Sequence, residues 1–241
     1  MKSKLNASMK SFTNCRSLLQ VSIVLAVVGF TAQAGFAQTA SQSTNPALPI
    51  ITFDLFWEAA TPQNFTITAD SSGRARYVSR NPTREASEAE QSDDPDYHVE
   101  FTLSAASRER IFELAKATGY FQGDFDFKRH AVANTGKKTL SYADPVRNFQ
   151  TTYNWSENKA IDQLTSLFQG ISNTLEHGRK LEFLHRFDRL GLEAELRGME
   201  SLAASGNLAE IQAIAPILKL IAGDSAVINL ARQRARRLLG S

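Results

Sequence analysis

From Ile50 onward the apolar residues recur at every second position, and no other feature constrains the fold as much. Phe53, Leu55 and Trp57 alternate with Thr52, Asp54, Phe56 and Glu58, and Phe65 and Ile67 alternate with Asn64, Thr66 and Thr68. Asp70-Ser71-Ser72-Gly73 then turns the chain into Arg74 to Ser79. Such segments can bury one face only, so consecutive runs joined by short turns predict an antiparallel sheet with one wet side. The same period returns at Tyr97, Val99, Phe101 and Leu103. It appears again in a hairpin from Lys138 to Tyr142 and from Phe149 to Trp155, about a turn at Asp144-Pro145.

Elsewhere the period lengthens to that of a helix. Ser104 has the character of an N-cap, Ile111, Leu114, Ala115 and the methyl of Thr118 share one face, and Gly119 ends the helix. Ser156 is the expected cap of a second helix carrying Ile161, Leu164, Phe168, Ile171 and Leu175. After residue 176 only helical stripes remain: Leu181, Leu184, Phe187 and Leu190, then Leu192, Leu196 and Met199. Asn207 is expected to cap a segment from Leu208 to Ile221 that Pro216 interrupts, and Ser225 to cap a last helix through Leu239. These patterns predict an α+β fold. Residues 50–176 form an antiparallel sheet of about five strands with two helices on one face, and residues 177–241 form an all-helical C-terminal region.

The N-terminus reads as an address. Lys2, Lys4, Lys10 and Arg16 precede an uncharged apolar run from Leu18 to Phe30, followed by Ala32-Gln33-Ala34 and Gly35-Phe36-Ala37. A basic stretch, a short greasy run and small residues make a secretory signal peptide over residues 1–37. The apolar run is too short to cross a bilayer unless it recruits Thr31 to Ala37, which would make it an uncleaved anchor. Residues 38–49 are polar, contain two prolines and read as a flexible linker. Cleavage reverses the charge: the formal +2 of the whole chain becomes 23 basic against 25 acidic side chains in the body. It also removes Cys15, the only cysteine, so disulfides and thiol catalysis are excluded there. A second aperiodic stretch, 80–96, holds Glu85, Glu88, Glu90, Asp93, Asp94 and Asp96. It lacks the spacing and turn glycine of a calcium loop, so it reads as an acidic surface loop.

Templates for chemistry find little to fit. Ala131 to Thr139 resembles a phosphate loop, but Lys138 stands where the magnesium-binding Ser or Thr belongs, and a strand follows where a helix should. It reads as the entry to a hairpin. No G-x-S-x-G or H-E-x-x-H occurs, and Gly223-Asp224-Ser225 fits a helix cap. His98 falls on the wet face of its strand. Glu182, His185 and Asp188 recur every three residues, but a di-iron bundle needs a second copy. The best catalytic-looking stretch runs from Asp124 through Asp126 to His130, where carboxylates and an imidazole suit a hard metal or acid–base work if they converge. Arg232, Arg234, Arg236 and Arg237 give the last helix a local +4. They suit either an anionic surface or the chain's own acidic face, and the apolar arc beside them favours the second.

The hairpin 63–79, the stretch Phe101-Thr-Leu-Ser-Ala-Ala-Ser, the helix ending Gly119-Tyr-Phe and the hairpin into Ser156 resemble a family of small exported bacterial domains of unknown function. The resemblance covers about residues 50–172. The whole chain, with Phe187-Asp-Arg-Leu-Gly-Leu-Glu-Ala-Glu-Leu-Arg, is similar to uncharacterised secreted proteins of acidobacterial genomes. The resemblance implies no activity, ligand or site residue. The expected role is an exported, periplasmic or secreted, non-catalytic binding module of the cell envelope, with no cofactor and no metal. Its partner would be a protein or envelope component. Nucleic acid is disfavoured by the negative body, and membrane contact would be transient during export. The alternatives are a metal-assisted hydrolase using Asp124, Asp126 and His130, and attachment to anionic surfaces through the arginine-rich helix. A binding module predicts a groove or apolar patch where sheet and helical region meet.

Overall fold

The computed structural model describes residues 48–80 and 96–240. The expected signal peptide, most of the linker and most of the acidic loop lie outside the described residues. Three strands, β1 (Ile50–Phe56), β2 (Asn64–Asp70) and β3 (Arg74–Arg80), follow one another as hairpins, and β4 is Tyr97–Thr102. Helix α1 (Ala105–Ala117) separates them from β5 (Lys137–Ala143) and β6 (Asn148–Tyr153). The strands form one antiparallel sheet in the order β4-β3-β2-β1-β5-β6. The sheet thus has six strands rather than about five. All six correspond to alternating segments read in the sequence, and the edge strand β4 buries less than its neighbours.

Alternation sorts the faces as the period dictates. Ile51, Phe53, Leu55, Phe65, Ile67, Tyr77, Leu140 and Tyr142 are buried beneath the helices. Thr66 donates to Asp54 (2.6 Å) and Thr139 pairs with Thr152 (3.0 Å) on the open side. Phe53 stacks on Phe168 of the second helix, centroids 5.2 Å apart and planes 5° from parallel. Tyr77 reaches further, meeting Ser172 at 3.0 Å and donating to Glu176 at 2.8 Å. Burial, reinforced by the Glu176 charge, pushes its phenol far above the ordinary range.

The second helix, α2, runs unbroken from Lys159 to Phe187. The end expected near residue 176 is not there. The stripe Ile161, Leu164, Phe168, Ile171 and Leu175 continues through Gly178 to Leu181 and Leu184. Gly178 is unfavourable for helix propensity, but a Cβ there would lie 2.4 Å from Cγ2 of Ile214, so the bare backbone is what lets the C-terminal region approach. Twenty-nine residues make a rod of about 43 Å, roughly twice the length of a seven-residue strand. Its first half covers the sheet, and α3 (Leu192–Ala204), a 3-10 turn (Ile211–Ile214) and α4 (Ala215–Gly223) pack against α2, with α5 (Asn229–Leu238) packed on α3 and α4.

Ser104 caps α1, accepting from Ser107 N at 3.2 Å, and Gly119 follows at φ 63°. The other expected caps move. Asn158, not Ser156, caps α2, accepting from Ala160 N (2.9 Å) and Ile161 N (3.3 Å). Neither Asn207 nor Ser225 caps a helix. Pro216 sits in the first turn of α4, where its missing N–H is harmless, and so separates the 3-10 turn from the helix.

Polar bridges join the helices. Glu195 of α3 is buried (8% exposed) between His177 (2.5 Å) and Lys180 (2.6 Å) of α2. His185 meets Asp224 at 2.9 Å, tying α2 to the end of α4. Burial alone would raise the Glu195 carboxyl, but the bonds from His177 and Lys180 outweigh it and hold it below the ordinary 4.5. A depressed carboxyl stabilises the fold above its unfolded value and loses that contribution as pH falls through its folded one. Chemical denaturation between pH 7 and 3 should therefore show a shallower acid-side loss for Glu195→Gln than for wild type. Equal slopes would remove Glu195 from the acid sensitivity.

Candidate functional site

Three strand ends define the main groove. In register, Leu55 faces Lys138 and Lys138 faces Tyr153. Continuing each ladder by two residues sets Trp57 and Trp155 on either side of Gly136, all on the face that the helices cover. Gly136 has φ 92°, and a Cβ there would lie 2.6 Å from Cβ of Trp57 and 3.0 Å from the Phe56 carbonyl. Only glycine allows Trp57 to lie against this turn. On the other flank Trp155 is 41% exposed and packs edge-on against Phe127, centroids 4.9 Å apart at 82°. The first turns of α2 supply the opposite wall with Asp162, Thr165, Ser166 and Gln169. The enclosed volume is about 330 Å³.

Lys138 forms the floor and is 4% exposed. Its ammonium donates to the carbonyls of Thr135 (2.8 Å), Asn154 (2.7 Å) and Gly136 (3.2 Å) and to the Thr135 hydroxyl (3.0 Å). These bonds use all three of its protons, and no carboxylate is among the acceptors. Burial pushes the amine down to about 8. Lys138→Met should lower stability at pH 7 by about 2 kcal/mol, because orphaned carbonyls outweigh the relief of not burying a charge. A depressed lysine is a cost while charged. Between pH 8 and 10.5 the unfolded chain retains a proton that the folded chain has released, so stability rises with pH. Urea denaturation across that window should show the wild-type advantage over Lys138→Met growing, and a constant difference would refute the shift.

Most of the groove's polar lining is occupied internally. Tyr153 and Thr165 share a 2.6 Å hydrogen bond, Asn154 accepts from Thr135 N at 2.8 Å, and Ser156 accepts from Asn158 N at 3.2 Å. Among the described residues, no side-chain hydrogen bond or ion pair engages the indole N–H of Trp57 or Trp155, the Asp162 carboxylate, the Ser166 hydroxyl or the Gln169 amide. All five residues line the same groove.

The residues singled out in the sequence lie elsewhere. Asp124 pairs with Lys128 and accepts from Asp126 N at 3.0 Å, Asp126 accepts from Asn154 N at 2.9 Å, and His130 packs edge-on against Phe127. The three do not converge. Their segment instead buttresses Trp155, since Phe127 N also donates to the Trp155 carbonyl at 2.9 Å. Among the described residues no group of three or more His, Cys, Asp or Glu could hold a metal ion. Glu182, His185 and Asp188 are not joined in one cluster, because His185 turns to Asp224 and Asp188 accepts from Gly191 N at 3.3 Å.

Two of the four C-terminal arginines, Arg234 and Arg237, pair with carboxylates of α3. Arg234 donates to Glu193 (3.1 Å) and pairs with Glu200, Arg237 donates to Glu200 (2.8 Å), and Arg236 donates to the Ala222 carbonyl (2.9 Å). Arg232 donates weakly to Asn229 (3.4 Å). His98 joins Arg76 and Arg80 around a shallow depression of about 280 Å³ on the open sheet face.

Sequence reasoning passed over the groove. Trp57 and Trp155 read as ordinary strand residues, and Lys138 counted only as the wrong residue for a phosphate loop. The available signal was Gly136 between two tryptophan-bearing strands, which becomes visible only once β1 and β6 are known to flank β5. No known protein family matches the chain, and no curated protein does either. Among the described residues no helix is long and apolar enough to cross a membrane.

Proposed function

We propose that the protein is an exported, non-catalytic binding module of the cell envelope that holds its ligand in the groove between the β1 and β6 ends and the start of α2. The observation that carries this reading is the convergence of two indoles and three unengaged polar side chains on one opening. Recognition sites combine apolar walls with a few placed polar groups in this way. A nucleophile hydrogen-bonded to a base is not part of the lining, and the single amine in it has its protons committed to the backbone. The basic, greasy N-terminus and the resemblance to exported domains support delivery to the periplasm or beyond.

The groove is displaced from where the sequence reading expected it. Glu210 holds the C-terminal segment to the start of α1, whereas the groove lies along the first turns of α2. Co-sedimentation of the exported protein with purified envelope fractions tests the reading. Saturable binding by wild type, reduced about tenfold in Trp155→Ala, is expected. An unbound wild type, or equal binding by the variant, would overturn it.

A further inference from the structure

We infer that the groove takes a neutral carbohydrate of one or two rings, an inference that rests on the binding-module reading above. The argument begins with what the lining offers. A pyranose has a C–H face that lies against an aromatic ring and an equatorial rim of hydroxyls that both donate and accept. Trp57 and Trp155 bring two indole rings to one end of the sheet, on strands separated by a single intervening strand. That spacing is about 10 Å between backbones, and the bare backbone of Gly136 lets the Trp57 side chain lie against it.

The unengaged polar groups match the rim. Asp162 accepts only, the indole N–H groups donate only, and Ser166 and Gln169 do both. Hydroxyls satisfy that mixture because each can reverse its role. The volume of about 330 Å³ is at the small end for ligand pockets and admits a mono- or disaccharide.

Charge excludes the main competitor. A phosphate or carboxylate ligand needs a cation with free donors, but the Lys138 ammonium is committed to four acceptors and the adjacent wall presents the Asp162 carboxylate. An anion would face the Asp162 carboxylate with no free cationic donor to offset it. A neutral polyol meets neither problem.

The chain has two tryptophans, and both line this groove, so the intrinsic emission of the full protein reports on this site alone. The test titrates N,N′-diacetylchitobiose, cellobiose and maltose to tens of millimolar, reading tryptophan emission and heat of binding. At least one disaccharide should give a saturable change, with dissociation constants between about 10 µM and 10 mM. Trp155→Ala should weaken that affinity tenfold or more, Asp162→Asn severalfold, and Phe187→Ala, on the far end of α2, not at all. Trp155 and Asp162 are exposed, so both variants should retain the wild-type far-UV spectrum. The inference is overturned if no disaccharide gives a signal, or if Trp155→Ala binds as tightly as wild type. Envelope binding that depends on Trp155 without any saccharide response removes the carbohydrate and leaves the module reading. Absence of both removes both.

Discussion

Glu210→Ala is expected to destabilise the protein by about 3–4 kcal/mol, the cost of removing one partner of a buried charged network. Glu210 is 8% exposed and adopts a left-handed backbone, φ 59°. That conformation aims its carboxylate at the start of α1, where it accepts from Ser104 N (2.7 Å), Ser104 Oγ (2.8 Å), Ser107 Oγ (2.5 Å) and Gln212 Nε2. The free N–H groups and the positive end of the helix dipole favour an anion there. Alanine keeps the strained backbone and leaves four donors facing no acceptor. Glu210→Gln keeps one acceptor oxygen and should lose about half as much. Guanidinium denaturation measures both, and a loss below 1 kcal/mol for the alanine variant would show that water replaces the carboxylate. The contact joins α1, which covers the sheet, to the segment before the 3-10 turn, so hydrogen exchange in α1 and α4 should accelerate together.

Gly136→Ala should cost a further large amount, about 3 kcal/mol or more, combining left-handed strain with overpacking. The added methyl would meet Cβ of Trp57 at 2.6 Å and the Phe56 carbonyl at 3.0 Å, and the carbonyl cannot swing aside without breaking the β1–β5 ladder. Because the same methyl displaces Trp57, the emission spectrum should shift even in variant protein that remains folded. Unchanged stability together with an unchanged spectrum would mean that the turn relaxes freely and that Gly136 does not set the groove. The two substitutions share no partner, so their costs should add.

How far residues could be read in advance depended on the range of the interaction concerned. Each strand was legible because alternation is local: Phe53, Leu55, Phe65, Ile67 and Leu140 declare an inner face within a few positions. Ser104 and Gly119 were legible for the same reason, since their partners lie within the next or preceding turn. Ser156 misled because Asn158, two residues on, offers the same cap chemistry, and only the path of β6 into α2 selects between them. The break expected near residue 176 failed at Gly178, where a contact with Ile214, distant in sequence, reverses the meaning of a glycine. The carboxylates of Asp124 and Asp126 misled in the opposite way. Local spacing suggested a site, while their partners Lys128 and Asn154 assign them to holding a loop.

By itself, then, the sequence determined the α+β class and the side of each strand that is buried. Each follows from periodicity carried within a single segment. Only the tertiary structure decided that β1 pairs with the edge of β5 left free by its hairpin with β6, that Trp57 and Trp155 therefore share an opening above Lys138, and that Glu210 binds the start of α1. Those are pairings across 80 to 106 residues, and no local rule specifies which of several chemically equivalent partners the folded chain will bring together.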